Sequence, residues 1–255
     1  MPTSLGEIYP PGMNVGFPRS EGYLGDFNKD QAKPSRSMQT VMRSFDKLYD
    51  EGDMQDNKSH NTILIKNLPK GLVCGDLFRL CGMFGNVMRV KIFYSNPENA
   101  LVEFQDNQQA MVAKTHLNNC SLRGNNVFIT VSKNPIIFNV PTIPEGNKFL
   151  GDYRDSKEHR YKIAGSKNFR NIAPPSPVLH LSNLCEDKPD GFYRELWKNC
   201  GRIKKFLVLK GETKNMLVEM ENVQQACEVL MQFHNFDIEG MFLKVSFSKY
   251  QTIKS

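Results

Sequence analysis

Paired cysteine spacing is missing from this sequence. Its six cysteines, at positions 74, 81, 120, 185, 200 and 227, contain no Cys-x-x-Cys pair. Several sit inside apolar periodic segments, where a small buried thiol is expected. This speaks against a zinc site or a disulfide scaffold and for reduced, intracellular, structural cysteines. No apolar run approaches the length that spans a bilayer, and the opening Met-Pro-Thr-Ser-Leu-Gly has neither a basic nor an apolar leader region. Neither a membrane nor secretion is therefore expected. There is no Ser-His-Asp set, phosphate-cradling glycine loop, paired carboxylate or metal-ligand spacing at positions a fold would bring together. An enzyme is not expected, and no cofactor or metal is called for. What is present is 40% hydrophobic residues, enough for packed cores, and a formal net charge of +6. That modest excess favours a polyanionic partner, because pairing Lys and Arg with phosphate releases condensed counterions.

Residues 1–60 mix Gly, Pro, Ser, Asn and charges with scattered apolar residues, too few to offset the entropy of ordering, and are expected to be a disordered tail. Within them Val41, Met42, Phe45 and Leu48 recur at helical spacing, so Met38–Tyr49 is read as a short amphipathic helix. Beyond the tail the chain repeats itself. Residues 62–133 and 178–249 align without a gap at a constant shift of 116 positions. Asn67-Leu68 falls on Asn183-Leu184, Gly85 on Gly201, Leu101-Val102-Glu103 on Leu217-Val218-Glu219, Gln108-Gln109-Ala110 on Gln224-Gln225-Ala226, Gly124 on Gly240 and Ser132-Lys133 on Ser248-Lys249.

Each copy reads strand, helix, strand, strand, helix, strand. In the first, Thr62–Asn67 alternates apolar and polar, Leu77, Leu80, Cys81 and Phe84 recur at helical spacing, and Gly85 is taken as the stop. Val87–Phe93 and Ala100–Phe104 are strands, Gln108–Leu117 a helix and Val127–Ser132 the last strand. The second copy repeats this over Leu179–Asn183, Phe192–Cys200, Ile203–Leu209, Met216–Met220, Gln224–Phe233 and Leu243–Ser248. The fold class is α+β: two tandem βαββαβ units of ferredoxin-like type, each a four-stranded antiparallel sheet backed by two helices, with one sheet face open. The boundaries are 1–60 tail, 61–133 first unit extending to about 140, 134–176 linker, 177–249 second unit and 250–255 C-terminal tail. Ile136, Ile137 and Phe138 are too apolar for a free linker and are candidates for a fifth strand beside the first unit. The linker holds the apolar anchors Phe149, Tyr153, Tyr161, Ile163, Phe169 and Ile172, unlike a polar, flexible tether. They are expected to cover a seam where the helical faces of the two units meet. Trp197 is expected in a core or at that seam.

Ile63-Leu64-Ile65-Lys66-Asn67-Leu68 and Leu179-His180-Leu181-Ser182-Asn183-Leu184 resemble the first-strand signature of RNA-recognition motifs. The third-strand signature departs from that family: Asn99-Ala100-Leu101-Val102-Glu103-Phe104 and Asn215-Met216-Leu217-Val218-Glu219-Met220 lack its stacking aromatics. These missing aromatics, the Ser-Lys after each last strand, and the linker Gly165-Ser166-Lys167-Asn168-Phe169-Arg170-Asn171-Ile172-Ala173-Pro174-Pro175-Ser176 together resemble the polypyrimidine tract-binding proteins, relatives of heterogeneous nuclear ribonucleoprotein L. The similarity covers residues 62–249 and corresponds to the third and fourth motifs of that family; its first two motifs have no counterpart here. The resemblance implies a monomer that binds single-stranded pyrimidine-rich (CU-rich) RNA, as pre-mRNA or mRNA, beside splicing-factor proteins. It further implies work in splicing or other mRNA processing in the nucleus, with shuttling to the cytoplasm, and RNA faces that point apart.

Strand alternation sends Leu64 and Lys66, and His180 and Ser182, to the open face. On the second strand Arg89, Lys91 and Phe93 face outward with Tyr94 at the end. Lys205, Leu207 and Leu209 match them, and Lys210 follows. Asn99, Leu101, Asn215 and Leu217 take the third-strand sites, and Thr130, Ser132, Lys133, Ser246, Ser248 and Lys249 end the last strands. Rings and aliphatic plates suit bases, ammonium groups suit phosphates, and hydroxyls or amides suit base edges. The competing reading is a protein-interaction module that uses the same degenerate faces, or the helix faces, on a protein partner.

Overall fold

The computed structural model describes residues 39, 43, 60–138, 148–162, 167–185, 187–209 and 214–254. Apart from Gln39, Arg43 and His60, the expected tail, with its helix at Met38–Tyr49, lies outside the described residues, as do Ile163 and Lys210. In the first motif, β1 (Thr62–Lys66), α1 (Cys74–Cys81), β2 (Val87–Ile92), β3 (Ala100–Phe104), α2 (Asn107–Leu117), a two-residue hairpin of β4 (Ser121–Leu122) and β5 (Asn125–Asn126), and β6 (Phe128–Val131) follow in order. The linker adds β7 (Leu150–Asp152) and a 3-10 turn at Lys167–Asn171. The second motif runs β8 (Val178–Ser182), α3 (Asp190–Trp197), β9 (Ile203–Leu209), β10 (Asn215–Met220), α4 (Val223–Phe233), the hairpin β11 (Asp237–Ile238) and β12 (Met241–Phe242), and β13 (Lys244–Phe247). No helix among the described residues is long and apolar enough to cross a membrane.

The first sheet is five-stranded, in the order β6-β1-β3-β2-β7, and the second is four-stranded, β13-β8-β10-β9. Several matched residues of the repeat are explained by backbone geometry. Asn67 and Asn183 leave β1 and β8 at φ 61° and 58°, a left-handed conformation that Asn tolerates. Their side-chain amides donate to the carbonyls of Asn126 and Phe242, at 2.9 and 2.8 Å. Gly85 does not end α1; Gly82 does. Gly85 is needed because a Cβ there would stand 2.5 Å from Cβ of Gln109, and one on Gly201, at φ 142°, 2.1 Å from the Gln225 amide carbon. The close approach lets Gln109 and Gln225 accept hydrogen bonds from the Asn86 and Arg202 amides, at 2.5 and 2.9 Å. Asp106 and Asn222 cap α2 and α4 by accepting from the Gln109 and Gln225 amides.

The fifth strand of the first motif is supplied by Leu150–Asp152, pairing antiparallel with β2. Ile136–Phe138, the expected candidate, instead crosses the open face, where Ile137 is fully buried. Its amide is drawn to a carboxylate on that face, as described below, so the segment cannot continue a ladder at the edge.

The helical sides of the two motifs meet, and one hydrophobic core runs through both. Arg79 on α1 donates to the Met231 carbonyl on α4 at 3.1 Å, and Arg123 holds Glu228 through two bonds at 2.9 and 2.6 Å. The thiols of Cys120 and Cys227 lie 3.9 Å apart, and Phe84 stacks on Phe247. The linker is pinned along this seam. The Tyr161 hydroxyl donates to the Met83 carbonyl at 2.5 Å, its ring stacks on Phe169, and Arg160 donates to the Val245 carbonyl at 2.6 Å. Ile172 packs on the core, and Trp197 is fully buried, stacked on Phe206. All six cysteines are free and buried.

Candidate nucleic-acid interface

Each sheet has one face against its helices and one turned away from the seam. On the first sheet the outward residues of β1 and β6 lie in register, Leu64 opposite Thr130 and Lys66 opposite Phe128. Lys66, Thr130 and Phe128 are exposed, Phe128 by 52%, and Leu64 is half-buried. An exposed phenyl ring beside an ammonium group on an open strand is a platform for a base with a phosphate partner next to it. Phe128 was not singled out from the sequence. The signal was there, since the alternation that sends Thr130 outward also sends residue 128 outward.

On the second sheet His180 and Ser182 stand in register with Ser246 and Lys244 of β13. All four are half-buried. Burial, and secondarily the positive charge of Arg160, hold the His180 imidazole below its ordinary pKa. At neutral pH it therefore presents an uncharged ring.

The other half of each face is covered, in the same way in both motifs. After β6 the chain turns across the first sheet: the Thr62 hydroxyl donates to the Pro135 carbonyl at 2.6 Å, the Ile137 amide donates to Glu103 at 2.9 Å, and Arg89 donates to the Ile137 carbonyl at 2.5 Å. After β13 the Ile253 amide donates to Glu219 at 2.8 Å, and Lys205 donates to the Ile253 carbonyl at 2.8 Å. These are the same positions at the 116-residue shift. The Ile253 amide is also the main cause that lowers the Glu219 carboxyl below its ordinary pKa. Ile137 closes over Phe93 and Leu101, with Leu64 and Leu150 against them; Ile253 closes over Val178 and Leu217, with Leu209 against them.

These straps correct the expected open face. Phe93, Leu101 and Leu217 are buried beneath the isoleucines. Lys91 is buried, its ammonium 5.7 Å from the Phe93 ring centre. Arg89 is half-buried between Glu103, at 3.4 Å, and Asp152, at 3.8 Å. Ser132 and Ser248 are buried, their oxygens accepting from the Asn134 and Tyr250 amides where each strap begins. Tyr94 is half-buried, edge-on to Phe149, and Asn99 is half-buried. Leu209 and Asn215 are half-buried, while Lys133, Lys205 and Lys249 are exposed. The Lys249 ammonium donates to the Arg170 carbonyl at 3.0 Å. The strap residues Glu103, Glu219, Ile137 and Ile253 were not recognised as such. The repeated carboxylate at 103 and 219 on the outward side of an otherwise apolar strand was the available clue.

The profile of the RNA recognition motif family (also known as the RRM, RBD or RNP domain) matches residues 36–156 and 171–255. The chain is 30% identical over 195 residues to polypyrimidine tract-binding protein homolog 3 of Arabidopsis thaliana, covering 75% of this chain and 43% of that protein. The chain thus spans less than half the length of this relative. Among solved structures, the Sxl-lethal protein/RNA complex is 15% identical and covers 73% of this chain and 98% of its own, with a TM-score of 0.27. The first two RRM domains of yeast poly(U)-binding protein Pub1 are 16% identical, covering 72% and 97%, with a TM-score of 0.26. Both scores are too low to bear on the site. The family profile covers most of the chain, and it falls on two βαββαβ units with the expected strand order. The chain belongs to the RNA recognition motif family of RNA-binding proteins and is related to the polypyrimidine tract-binding proteins.

Proposed function

We propose that this protein binds single-stranded, pyrimidine-rich RNA on the two outward sheet faces and acts in pre-mRNA splicing or other mRNA processing in the nucleus. The observation that carries the reading is the repeated narrow strip left beside each strap. In the first motif it comprises Leu64, Lys66, Phe128 and Thr130, in the second His180, Ser182, Lys244 and Ser246. Each strip offers one ring, at least one hydroxyl group and an ammonium group. That suits a single base with its phosphate, and the neighbouring strap leaves less room for a second stacked purine than an uncovered sheet would. The name of the Arabidopsis relative supports pyrimidines as the preferred bases. Lys133, Lys205 and Lys249 at the strap margins are placed for phosphate contacts. Because the helical sides are joined, one RNA that touches both strips must bend back around the protein. Equilibrium binding to oligo-U, CU repeats, oligo-A and duplex RNA at two salt concentrations tests this. Tighter binding to the first two, weakening as salt rises, is expected. Equal affinity for all four would refute pyrimidine recognition.

A further inference from the structure

Two of the buried cysteines meet across the seam. Cys120 follows α2 of the first motif and Cys227 lies in α4 of the second, and their sulfurs are 3.9 Å apart. The repeat does not account for this pair, because at the 116-residue shift the counterparts of Cys120 and Cys227 are Phe236 and Met111. The docking of the motifs creates it. The contact is braced by its neighbours: the Ser121 hydroxyl donates to the Gln224 side-chain oxygen at 3.4 Å, and Arg123 holds Glu228 at 2.9 and 2.6 Å. The β4–β5 hairpin and the start of α4 thus keep the two thiols in register.

The chemistry of this pair differs from that of the other thiols. The Cys74 thiol donates to the Lys148 carbonyl at 3.2 Å and the Cys200 thiol to the Gln232 side-chain oxygen at 3.5 Å. Burial pushes both of these, and Cys81, up to about 12. Cys120 moves the other way: the Cys227 thiol donates to its sulfur, which favours the thiolate and outweighs burial. The thiolate is the reactive form of cysteine. Cys120 is also at the rim, 8% exposed between the exposed Asn119 and the half-buried Ser121, whereas Cys227 is fully buried. A small oxidant therefore reaches Cys120 first.

We propose that Cys120 and Cys227 are a redox pair that closes a disulfide across the seam, with a hydroperoxide as the oxidant. The Cys120 thiolate attacks one peroxide oxygen, the O–O bond breaks, and the departing oxygen takes up the thiol proton. This leaves a sulfenic acid on Cys120. The Cys227 sulfur then attacks the Cys120 sulfur, the S–O bond breaks, and the hydroxide leaves with the Cys227 proton as water. With hydrogen peroxide, two thiols and one peroxide give one disulfide and two waters; both sulfurs are oxidised and both peroxide oxygens reduced. Closing to a bond of about 2.05 Å asks each sulfur to move by roughly 1 Å, the scale of a side-chain adjustment. The product ties the motifs together covalently and fixes the opposed directions of their two strips.

Peptide mapping of the full-length protein after hydrogen peroxide treatment tests the proposal. Trypsin separates the two thiols from all others, on the peptides 115–123 and 215–244. In the folded protein these two peptides are expected to be recovered joined, lighter by two hydrogens than their sum and separated by dithiothreitol. They should join roughly tenfold or more faster than in protein unfolded in urea, because docking holds the thiols together. The oxidised wild type should also unfold at a higher urea concentration than the reduced protein, a shift that Cys120→Ser and Cys227→Ala both abolish. Recovery of both peptides unlinked, a link to any other cysteine in the folded protein, or Cys120 over-oxidised to the sulfinic acid beside an unmodified Cys227 would each overturn the assignment. Linking no faster in the folded than in the unfolded protein would do the same.

Discussion

Phe128 and His180 are on corresponding faces but on different strands, the ring of the first motif on β6 and that of the second on β8. Each is the one ring on its strip, so Phe128→Ala and His180→Ala should each weaken RNA binding by about 1–2 kcal/mol, the scale of one lost stacking platform. Both project outward, so the urea unfolding midpoint should stay near that of the wild type. Unchanged affinity in a titration of either variant would remove that ring from the site. His234 behaves differently. Its Nδ1 accepts the Val245 amide at 3.2 Å, and burial, then the charges of Arg160, Lys244 and Arg79, drive its pKa well below the ordinary 6.5. The folded protein therefore resists protonation that the unfolded chain accepts. Stability from this residue is complete above about pH 6.5 and declines as the pH drops below it, by up to about 1.4 kcal/mol per pH unit. Urea midpoints at pH 7.5 and 5.5 should differ, and His234→Gln should flatten the difference. An equal slope in both proteins would mean that another group is responsible. The outward or inward sense of most site residues was legible from strand alternation, as at His180 and Lys66. Which outward residues remain uncovered was not, because Phe93, Leu101 and Ser132 are buried by a segment that local periodicity does not place.

The straps act as elements in their own right. A buried isoleucine, an amide bound to Glu103 or Glu219, and a carbonyl bound to Arg89 or Lys205 recur in both motifs. Truncating the plug should leave a small cavity over Val178 and Leu217. Ile253→Ala is accordingly expected to lower stability by about 2 kcal/mol, the low end for a buried isoleucine, read from urea unfolding. A change below about 0.5 kcal/mol, the range of ordinary surface substitutions, would show that the C-terminal strap is not docked in solution. The fifth strand was misplaced for a related reason. Ile136–Phe138 has the composition of a strand, but the amide of Ile137 has a stronger acceptor in the Glu103 carboxylate than an edge ladder would provide. The Gly–Gln contacts at 85/109 and 201/225, by contrast, follow directly from residues that the repeat aligns.

At the scale of the whole molecule, the described residues from His60 to Lys254 belong to one compact unit. Its seam combines a shared apolar core, the Arg123–Glu228 pair and a linker tied down at Tyr161 and Arg160. Breaking it would expose apolar surface and leave the Arg160 guanidinium without its carbonyl partner. The two motifs should therefore tumble together, with one rotational correlation time from NMR relaxation in the free protein. Separate, faster times for each motif would sink the bent-RNA arrangement while leaving binding by each strip possible.

The sequence by itself determined the repeat, the order of strands and helices, and which side of each strand faces the core. Those properties are written in spacings of a few residues and in turn chemistry such as the left-handed Asn67 and Asn183. The tertiary structure alone decided that each open face is half closed by a strap and that β7 rather than Ile136–Phe138 completes the first sheet. These depend on contacts between groups far apart in the chain, such as Ile137 with Glu103, 34 positions away, and Arg89 with Asp152. Such pairs carry no local periodicity, and they form because burying an isoleucine or satisfying a carboxylate is favourable only once the distant surface exists.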